Sequence, residues 1–419
     1  MRFLYICIAY LISPVVIGAL ALRGFRDRVH WRGFSQRFGL GAKTRARSIW
    51  VHAVSVGEVQ AGVPLVEALL KRFPDIPLVL TTVTPTGRLR AQSLFGARVD
   101  VRYVPIDLPG SVRRFFQRVQ PQLAVILETE IWPNLYHRCG RLGVPLVLAS
   151  ARISPRSVKR YRRLVGLFRE TLSHGIFIAA QSAEDAERFV SIGANPTRTH
   201  VVGNIKFDFG YPPDMEARGH ELRRLLGMHR PVWVAGSTHA LEEDQVVAAH
   251  ALIRERFSNA LLVLVPRHPP RFGEVLASLR NKGIRVVTRT SGAAVTPDTQ
   301  IFLLDTLGEL PPFYAAGDVA FVGGSLVPIG GHNLLEPAAL SLPIVAGPHN
   351  FNSADMARML VERGAVRIVE DAAKLAAVVG DLLADPTART TMGASGRKAV
   401  DDNRGAVARL MEFLEPLLP

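Results

Sequence analysis

Residues 49–62 read IWVHAVSVGEVQAG. The first part, 49–55, is almost continuously apolar, with no alternation of polar and apolar positions. That is how a strand buried on both faces of a parallel sheet reads. The second part, 55–62, is a polar turn that opens a helix. A strand running directly into a helix is the unit of a doubly wound sheet, in which ligands gather at the carboxyl ends of the strands. The unit then repeats. Apolar runs follow at 78–84, 101–106, 123–129, 145–150 and 176–182, with amphipathic stretches such as 58–72 and 111–120 between them. The pattern pauses over 208–230, where Gly210, Pro212, Pro213 and Gly219 fall. It restarts at 232–237, 261–266, 284–289, 300–305, 319–324, 343–347 and 366–369, and 371–419 reads as helices. The expectation is an α/β chain of two Rossmann-like domains, 48–210 and 231–419, joined by a linker over 211–230. The cleft between the domains is the natural ligand site.

Before the first strand comes a segment of a different kind. Residues 3–22, FLYICIAYLISPVVIGALAL, carry no charge. At about 1.5 Å per residue that length matches a bilayer core of roughly 30 Å. Arg23, Arg26, Arg28, Arg32, Arg37, Lys43, Arg45 and Arg47 follow, opposed only by Asp27. The positive-inside rule then places the bulk of the chain in the cytoplasm. A cleaved signal peptide fits poorly, because its basic residues would precede the apolar run. A helix lying in the membrane interface is the other reading, since Pro14 falls mid-segment. Residues 1–47 are therefore expected to be a membrane anchor with a basic juxtamembrane stretch.

Composition narrows the function. The chain has 419 residues, 21% of them charged, which excludes general disorder and suits two to three domains. Cys7 and Cys139 are the only cysteines, so neither a disulfide scaffold nor a cysteine-built zinc site is available. Net charge is +15 and unevenly placed: residues 1–210 hold 30 Lys+Arg against 13 Asp+Glu, and 211–419 hold 21 against 23. One half is built to meet something anionic. Nucleic acid is the least favoured partner, because no recognition-helix or RNP pattern is present and a membrane surface accounts for the charge.

Several loops fall at strand ends. In 55–62, Glu58 sits in the first turn of a helix. It either satisfies the helix dipole or acts as a general base, and Gly57 beside it allows close approach to the backbone. In LETEIWPN (127–134), Glu128 and Glu130 point to one side if the strand continues. A Mg²⁺ pair would need further oxygen ligands that the sequence does not offer, so Glu128 is better read as orienting reacting groups, with Glu130 capping the next helix. In GNIKFD (203–208), Lys206 is either a solvated linker residue or a cation for a leaving phosphate. In the second half, STHALEED (237–244) offers Ser237 and Thr238, and PRHPPRF (266–272) offers Arg267 and His268 for phosphate or carboxylate. GGSLVPIGGHNLLEPAAL (323–340) has two Gly-Gly pairs before a helix start, the pattern of an anion site of backbone N–H groups, with Glu336 placed for ribose hydroxyls. His52, His239, His268, His332 and His349 are dispersed without metal-site spacing.

These segments resemble, over nearly the whole chain, the 3-deoxy-D-manno-octulosonic acid (Kdo) transferases of lipopolysaccharide synthesis. The resemblance is carried by the N-terminal apolar segment, SVGEVQAGVPL, TTVTPTG, LETEIWPNL, ARIS, GNIKFD, VPRHPPRF, DTLGELPPFYAAGDVAFVGGSL, GGHNLLEPA and GPHNFN, in that order. It implies a GT-B glycosyltransferase fold and inverting transfer of Kdo from CMP-Kdo to lipid IVA, a lipid A precursor, at the cytoplasmic side of the inner membrane. It implies no cofactor and no metal, CMP-Kdo being the donor substrate. By motif match, Glu58 is the general base, and Glu128 and Lys206 stabilise the transition state. Pro266 and Arg267, then Leu307, Gly308 and Glu309, then Asn333, Leu334, Leu335 and Glu336 bind CMP. The first domain is thus expected to hold the acceptor and the second the donor. A sister GT-B enzyme with a UDP-sugar and another lipid acceptor is the competing expectation, and a non-enzymatic binding protein is disfavoured by the intact Glu58 and glycine loop.

The phosphorylated acceptor and the basic half belong together on this reading. Residues 152–169 contain Arg152, Arg156, Lys159, Arg160, Arg162, Arg163 and Arg169, with Tyr161, Leu164, Val165, Leu167 and Phe168 interleaved. They form either a solvated helix face or, with Arg113, Arg114, Phe115 and Phe116, a surface for lipid phosphates. Each basic residue near an anionic membrane contributes on the order of 1 kcal/mol. Charge reversal at Arg160, Arg162 and Arg163 is expected to lower vesicle association or acceptor affinity. Unchanged values of both would assign the stretch to a solvated face.

Overall fold

The computed structural model describes residues 1–162, 165–173 and 175–418, without the side chains of Arg26, His30 and Val165. Arg163 and Leu164, and the Val165 side chain, therefore lie outside the described residues. The chain forms two compact units, residues 1–209 with 403–419, and residues 210–402.

The first unit holds a seven-stranded sheet in the order β3-β2-β1-β4-β5-β6-β7. Its strands are β1 (Ser48–His52), β2 (Leu78–Thr82), β3 (Asp100–Tyr103), β4 (Pro121–Leu127), β5 (Leu146–Ala151), β6 (Phe177–Ala180) and β7 (Thr199–Val201). All neighbours are parallel, with Val51 opposite both Leu80 and Val125. The continuous apolar runs have a direct cause, since alternate residues of β1 serve two cores. Ile49 and Val51 join Leu65 and Leu69 on one face. Trp50 joins Phe115 and Phe116 on the other, so these two phenylalanines are core residues and not part of a lipid-facing surface, and the Trp50 indole N–H donates to Thr81 Oγ1 at 2.8 Å. β7 was not expected from the sequence. It is three residues long at the sheet edge, and His200 and Val201 are exposed, so no apolar run announces it.

The second unit repeats the plan in the order β10-β11-β9-β8-β12-β13-β14, again all parallel. Its strands are β8 (Val232–Thr238), β9 (Leu261–Pro266), β10 (Val286–Thr288), β11 (Ile301–Leu303), β12 (Val319–Val322), β13 (Ile344–Ala346) and β14 (Val366–Ile368). In both sheets the first strand lies inside the sheet and later strands add on both sides of it, as in a doubly wound fold; in the second, β11 inserts between β9 and the edge strand β10.

The domain boundaries differ from the expected ones in two places. The stretch 211–230 is not a free linker. It contains the helix Met215–Leu226, whose Leu226 is buried in the core over the second sheet. Arg223 of that helix also bonds Asp318 at 3.0 Å. Residues 403–419 do not belong with the second sheet either. Helix Ala406–Leu414 places Ala406, Leu410 and Leu414 in the core beside β1, and the Asp208 carboxylate accepts from the N–H groups of Gly405, at 2.6 Å, and of Val407. An amphipathic pattern shows that a helix buries a face but not which sheet receives it. At the other end, Arg2–Arg26 is a single helix with Pro14 inside it.

Leu410→Ala is expected to cost about 2–5 kcal/mol, the usual range for such a truncation in a core. Hydrogen exchange should show the loss in β1 and β2 and leave β8 and β9 protected. The reverse pattern would return the terminal helix to the second unit.

Candidate active site

The carboxyl edge of the first sheet collects polar side chains from several strand ends. β1 runs out at His52, and Ser55 caps the helix Val56–Ala61 by accepting the Glu58 N–H at 3.4 Å. Glu58 turns back, and its Oε2 accepts from the Val54 N–H at 2.8 Å. This reciprocal arrangement is close to a capping box. It merges the two readings of Glu58: the residue closes the helix start and also presents a carboxylate at the sheet edge. Gly87 is explained by the same turn. A Cβ there would lie 3.2 Å from the Ser55 carbonyl carbon and 2.8 Å from Thr84 Oγ1, so the helix Pro85–Phe95 approaches this closely only with glycine.

Burial pushes the Glu58 carboxyl up to about 7. Glu128 and Glu130 push in the same direction, while the Val54 N–H and Lys206 oppose. A carboxyl that titrates near neutrality can hold or release a proton at working pH. By contrast, His52 is wholly buried under the turn, with Nδ1 at 2.9 Å from Thr81 Oγ1, and burial pushes it down to about 4.

The structure corrects the expectation for Glu128 and Glu130. β4 ends at Leu127 and Glu128 takes a left-handed φ of 58°, so the two carboxylates do not share a strand face. Glu128 Oε1 pairs with Lys206 Nζ at 2.6 Å. Glu130 instead accepts from Trp132 Nε1 at 2.9 Å, and its carbonyl accepts from the Tyr136 hydroxyl at 2.7 Å. Trp132 is the N-cap of the helix Pro133–Leu142, so Glu130 does not cap it.

Lys206 is held from behind by residues that the sequence reading missed. Asn204 Oδ1 accepts the Lys206 N–H at 2.9 Å, and Asn204 Nδ2 donates to Gln181 Oε1 at 3.1 Å. Gln181 Nε2 donates in turn to the Ser150 carbonyl at 2.9 Å. The ends of β4, β5, β6 and β7 are thereby tied together behind one ammonium group. Asn204 lies inside the GNIKFD motif, whereas a lone glutamine after a strand carries no sequence signal.

The second unit gathers another set, and its main organiser was also missed. Glu242 is fully buried, and its carboxylate accepts from the N–H groups of Gly324, Ser325 and Leu326 at 2.7, 3.0 and 2.9 Å and of His239 at 3.2 Å. The second glycine pair is occupied as well, because Gly330 and Gly331 both donate to the Gly324 carbonyl at 3.1 and 2.8 Å. The expected anion cradle at these glycines is therefore filled by the protein's own acceptors. The glycines are needed for shape. Gly324, Gly330 and Gly331 have φ of 69°, 110° and 73°, and a Cβ on Gly330 would lie 2.4 Å from Asn352 Nδ2.

Next to this clamp lie Pro266 and Arg267. Pro266 closes β9, and Arg267 is exposed just beyond it, its N–H bonded to the Thr238 carbonyl at 2.9 Å. His239 and His332, dispersed in sequence, are brought together with Nε2 atoms 2.8 Å apart and rings stacked, and His268 meets His239 edge-on. Burial pushes His332 down to about 3, helped by His239, Arg267 and His268, and lowers His239 too. The pair is neutral at pH 7, with one ring donating and the other accepting. Asn333 Nδ2 donates to Glu336 Oε1 at 3.2 Å, Asn333 Oδ1 accepts the Leu335 N–H, and Leu334 and Leu335 are buried. Leu307, Gly308 and Glu309 form a separate turn, in which Leu307 is exposed, Gly308 has a φ of 82° and Glu309 is bonded by Arg289 at 2.9 Å and by Thr306.

An α/β chain of two parallel seven-stranded sheets, each with polar groups at its carboxyl edge, has the GT-B architecture. Among solved structures it is similar to the UDP-GlcNAc 2-epimerase of Neisseria meningitidis, at a TM-score of 0.60 over 88% of this chain and 100% of that one. It is similar also to HepE of Anabaena, at 0.57 over 89% and 99%. At 12% and 15% identity these likenesses concern the fold alone.

The family follows from sequence. Residues 32–209 match the family model described as 3-deoxy-D-manno-octulosonic-acid transferase. The 3-deoxy-D-manno-octulosonic acid transferase of Haemophilus influenzae is 36% identical over 100% of this chain and 99% of its own length, and that of Bordetella pertussis is 37% identical over 97% of each. The chain belongs to the Kdo transferase family and is a glycosyltransferase.

Glu242→Ala strands several buried N–H donors at once and is expected to cost on the order of 3 kcal/mol in urea unfolding. Glu242→Gln keeps an acceptor and should lose less. Equal stability of wild type and Glu242→Ala would show that the clamp does not hold the glycine loop.

Proposed function

We propose that this Kdo transferase takes Kdo from CMP-Kdo and delivers it, with inversion, to lipid IVA at the cytoplasmic face of the inner membrane. The observation that carries this reading is the edge of the first sheet, where the Glu58 carboxylate is held by the Val54 N–H at 2.8 Å and Lys206 is paired with Glu128 at 2.6 Å; burial raises the Glu58 carboxyl to about 7. Glu58 accepts the proton of an acceptor hydroxyl. The freed oxygen forms a bond to the anomeric carbon of Kdo as the bond from that carbon to the CMP phosphate oxygen breaks. CMP departs with the electron pair, and the proton remains on Glu58. Lys206 meets negative charge growing in the transition state, and Glu128, with the Ser150–Gln181–Asn204 chain behind it, fixes where the ammonium sits. In the second unit Arg267 supplies the exposed cation for the CMP phosphate, and Glu336 and Asn333 supply polar groups for the nucleoside. The motif resemblance adds Pro266, Leu334 and Leu335, and the Leu307–Gly308–Glu309 turn, to the residues that receive CMP. The motif resemblance supports CMP-Kdo and lipid IVA. The apolar helix and the basic N-terminal half support the membrane location.

The test is a mass spectrum of lipid products from purified protein, CMP-Kdo and lipid IVA in detergent. The expected result is an added mass of one Kdo or of several, inhibited by CMP and not by UDP. Glu58→Gln should lower the rate by about 10²–10⁴, the usual contribution of a general base. No increment from folded wild type, or inhibition by UDP instead, would favour the sister enzyme with a UDP-sugar donor.

A further inference from the structure

The helix Arg2–Arg26 is long and apolar enough to cross a bilayer, with a mean hydropathy of 2.3 over its most apolar window. Its contacts point to another placement. Withdrawn positions recur along the whole helix: Arg2, Tyr5, Ile6, Ala9, Ser13, Ile17, Leu20, Ala21 and Gly24 are all less than exposed, and Ser13 and Gly24 are buried. Their spacing of three and four residues is one face of an α-helix. Both ends of this face touch the first unit. At the start, the Tyr5 hydroxyl donates to Asp107 Oδ2 at 2.8 Å, Arg2 Nε donates to Asn134 Oδ1 at 3.4 Å, and the N-terminal ammonium lies 3.9 Å from Glu170. At the far end, Gly24 lies under Trp31 of the turn that follows the helix, whose indole nitrogen would be 2.5 Å from a Cβ on that glycine, and the rest of the first unit holds this turn where Arg88 Nη1 donates to the Arg32 carbonyl at 3.0 Å.

From Tyr5 to Gly24 the helix runs about 28 Å at 1.5 Å per residue. A lone perpendicular span would put its first turn on the opposite side of the bilayer from its last. Yet both turns are held by one compact unit. To reach both, that unit would have to carry Asp107, Glu170 and Arg2 through the hydrocarbon, where each charge costs several kcal/mol. The remaining faces of the helix are apolar and open. Phe3 is 80% exposed, Leu11 79%, Val15 71% and Phe25 78%. Arg23, Arg28 and Arg32 are exposed beside the C-terminal end of this face. Apolar side chains flanked by cations are what an anionic lipid interface accepts.

We infer that this helix does not span the membrane but lies in its plane, clamped lengthwise to the first unit through Tyr5–Asp107 and Gly24–Trp31, and seats the enzyme on one leaflet. The inference rests on the membrane reading above and deepens it. The N-terminus then stays on the same side of the bilayer as the catalytic residues.

Single spin labels test it in the full-length protein. In a Cys7→Ser background, with Cys139 buried, cysteines replace Leu4, Leu11, Val15 and Leu22 one at a time, and Ile17 as a contact-face control. Collision rates with oxygen and with a polar nickel chelate are read on vesicles of phosphatidylethanolamine and phosphatidylglycerol. The expected result is one shallow depth of about 5–10 Å for all four labels on the open face, with Ile17 shielded from both reagents. A profile deepest at Leu11 and Val15, with Leu4 and Leu22 near opposite surfaces, overturns the in-plane placement and leaves membrane anchoring intact. Spin–spin broadening with no lipid contact means that a second copy covers the face and overturns the inference. No vesicle association at all overturns both this inference and the membrane reading.

Discussion

The chemistry proposed for the first unit depends on how far Glu58 is withdrawn from water. Its carboxylate closes the start of its own helix through the Val54 N–H, and so cannot swing out into solvent without opening that turn. Burial penalises its charged form, and the neighbouring carboxylates of Glu128 and Glu130 add to the penalty. Lys206 lies near enough to oppose this, but its ammonium is already engaged by Glu128 at 2.6 Å. Glu58 is therefore left near neutrality by the same contacts that build the sheet edge.

The second unit uses the opposite device. Its glycine loop is rich in backbone donors, yet Glu242 and the Gly324 carbonyl consume those of Gly324, Ser325, Leu326, Gly330 and Gly331. On the proposed reading, what remains for a nucleotide are the side chains the loop positions: Arg267 beside the stacked His239–His332 pair, and Asn333 with Glu336. A buried carboxylate that accepts several N–H bonds is rigid, and rigidity is what a binding edge needs.

Much of this was legible in the sequence, for physical reasons. Continuous apolar runs gave the strands because each strand is buried on both faces, and Glu58, Glu128 and Lys206 fall at strand ends, where a doubly wound sheet exposes its loops. Glu128 was misread in detail because a left-handed residue leaves no mark in a pattern of hydrophobicity. β7 was lost because an exposed edge strand has no apolar run. The terminal helix was placed with the wrong sheet because amphipathicity does not name its partner. Gln181 and Glu242 were missed because a single polar residue in a loop looks like any other until the fold gathers its partners. The Gly-Gly pairs were legible as special backbone but not as already satisfied backbone.

The pH dependence of kcat/KM for Kdo transfer tests the central claim most directly, since that ratio reports ionisations of the free enzyme. A base must be deprotonated to act, so activity should fall as the solution is acidified through about pH 7, where Glu58 takes up its proton. The account predicts an acid limb with its midpoint there, lost in Glu58→Gln. A limb that falls only near the ordinary glutamate value of about 4.3 would contradict it, because Glu58 would then be a solvated carboxylate and the edge of the first sheet would not tune it.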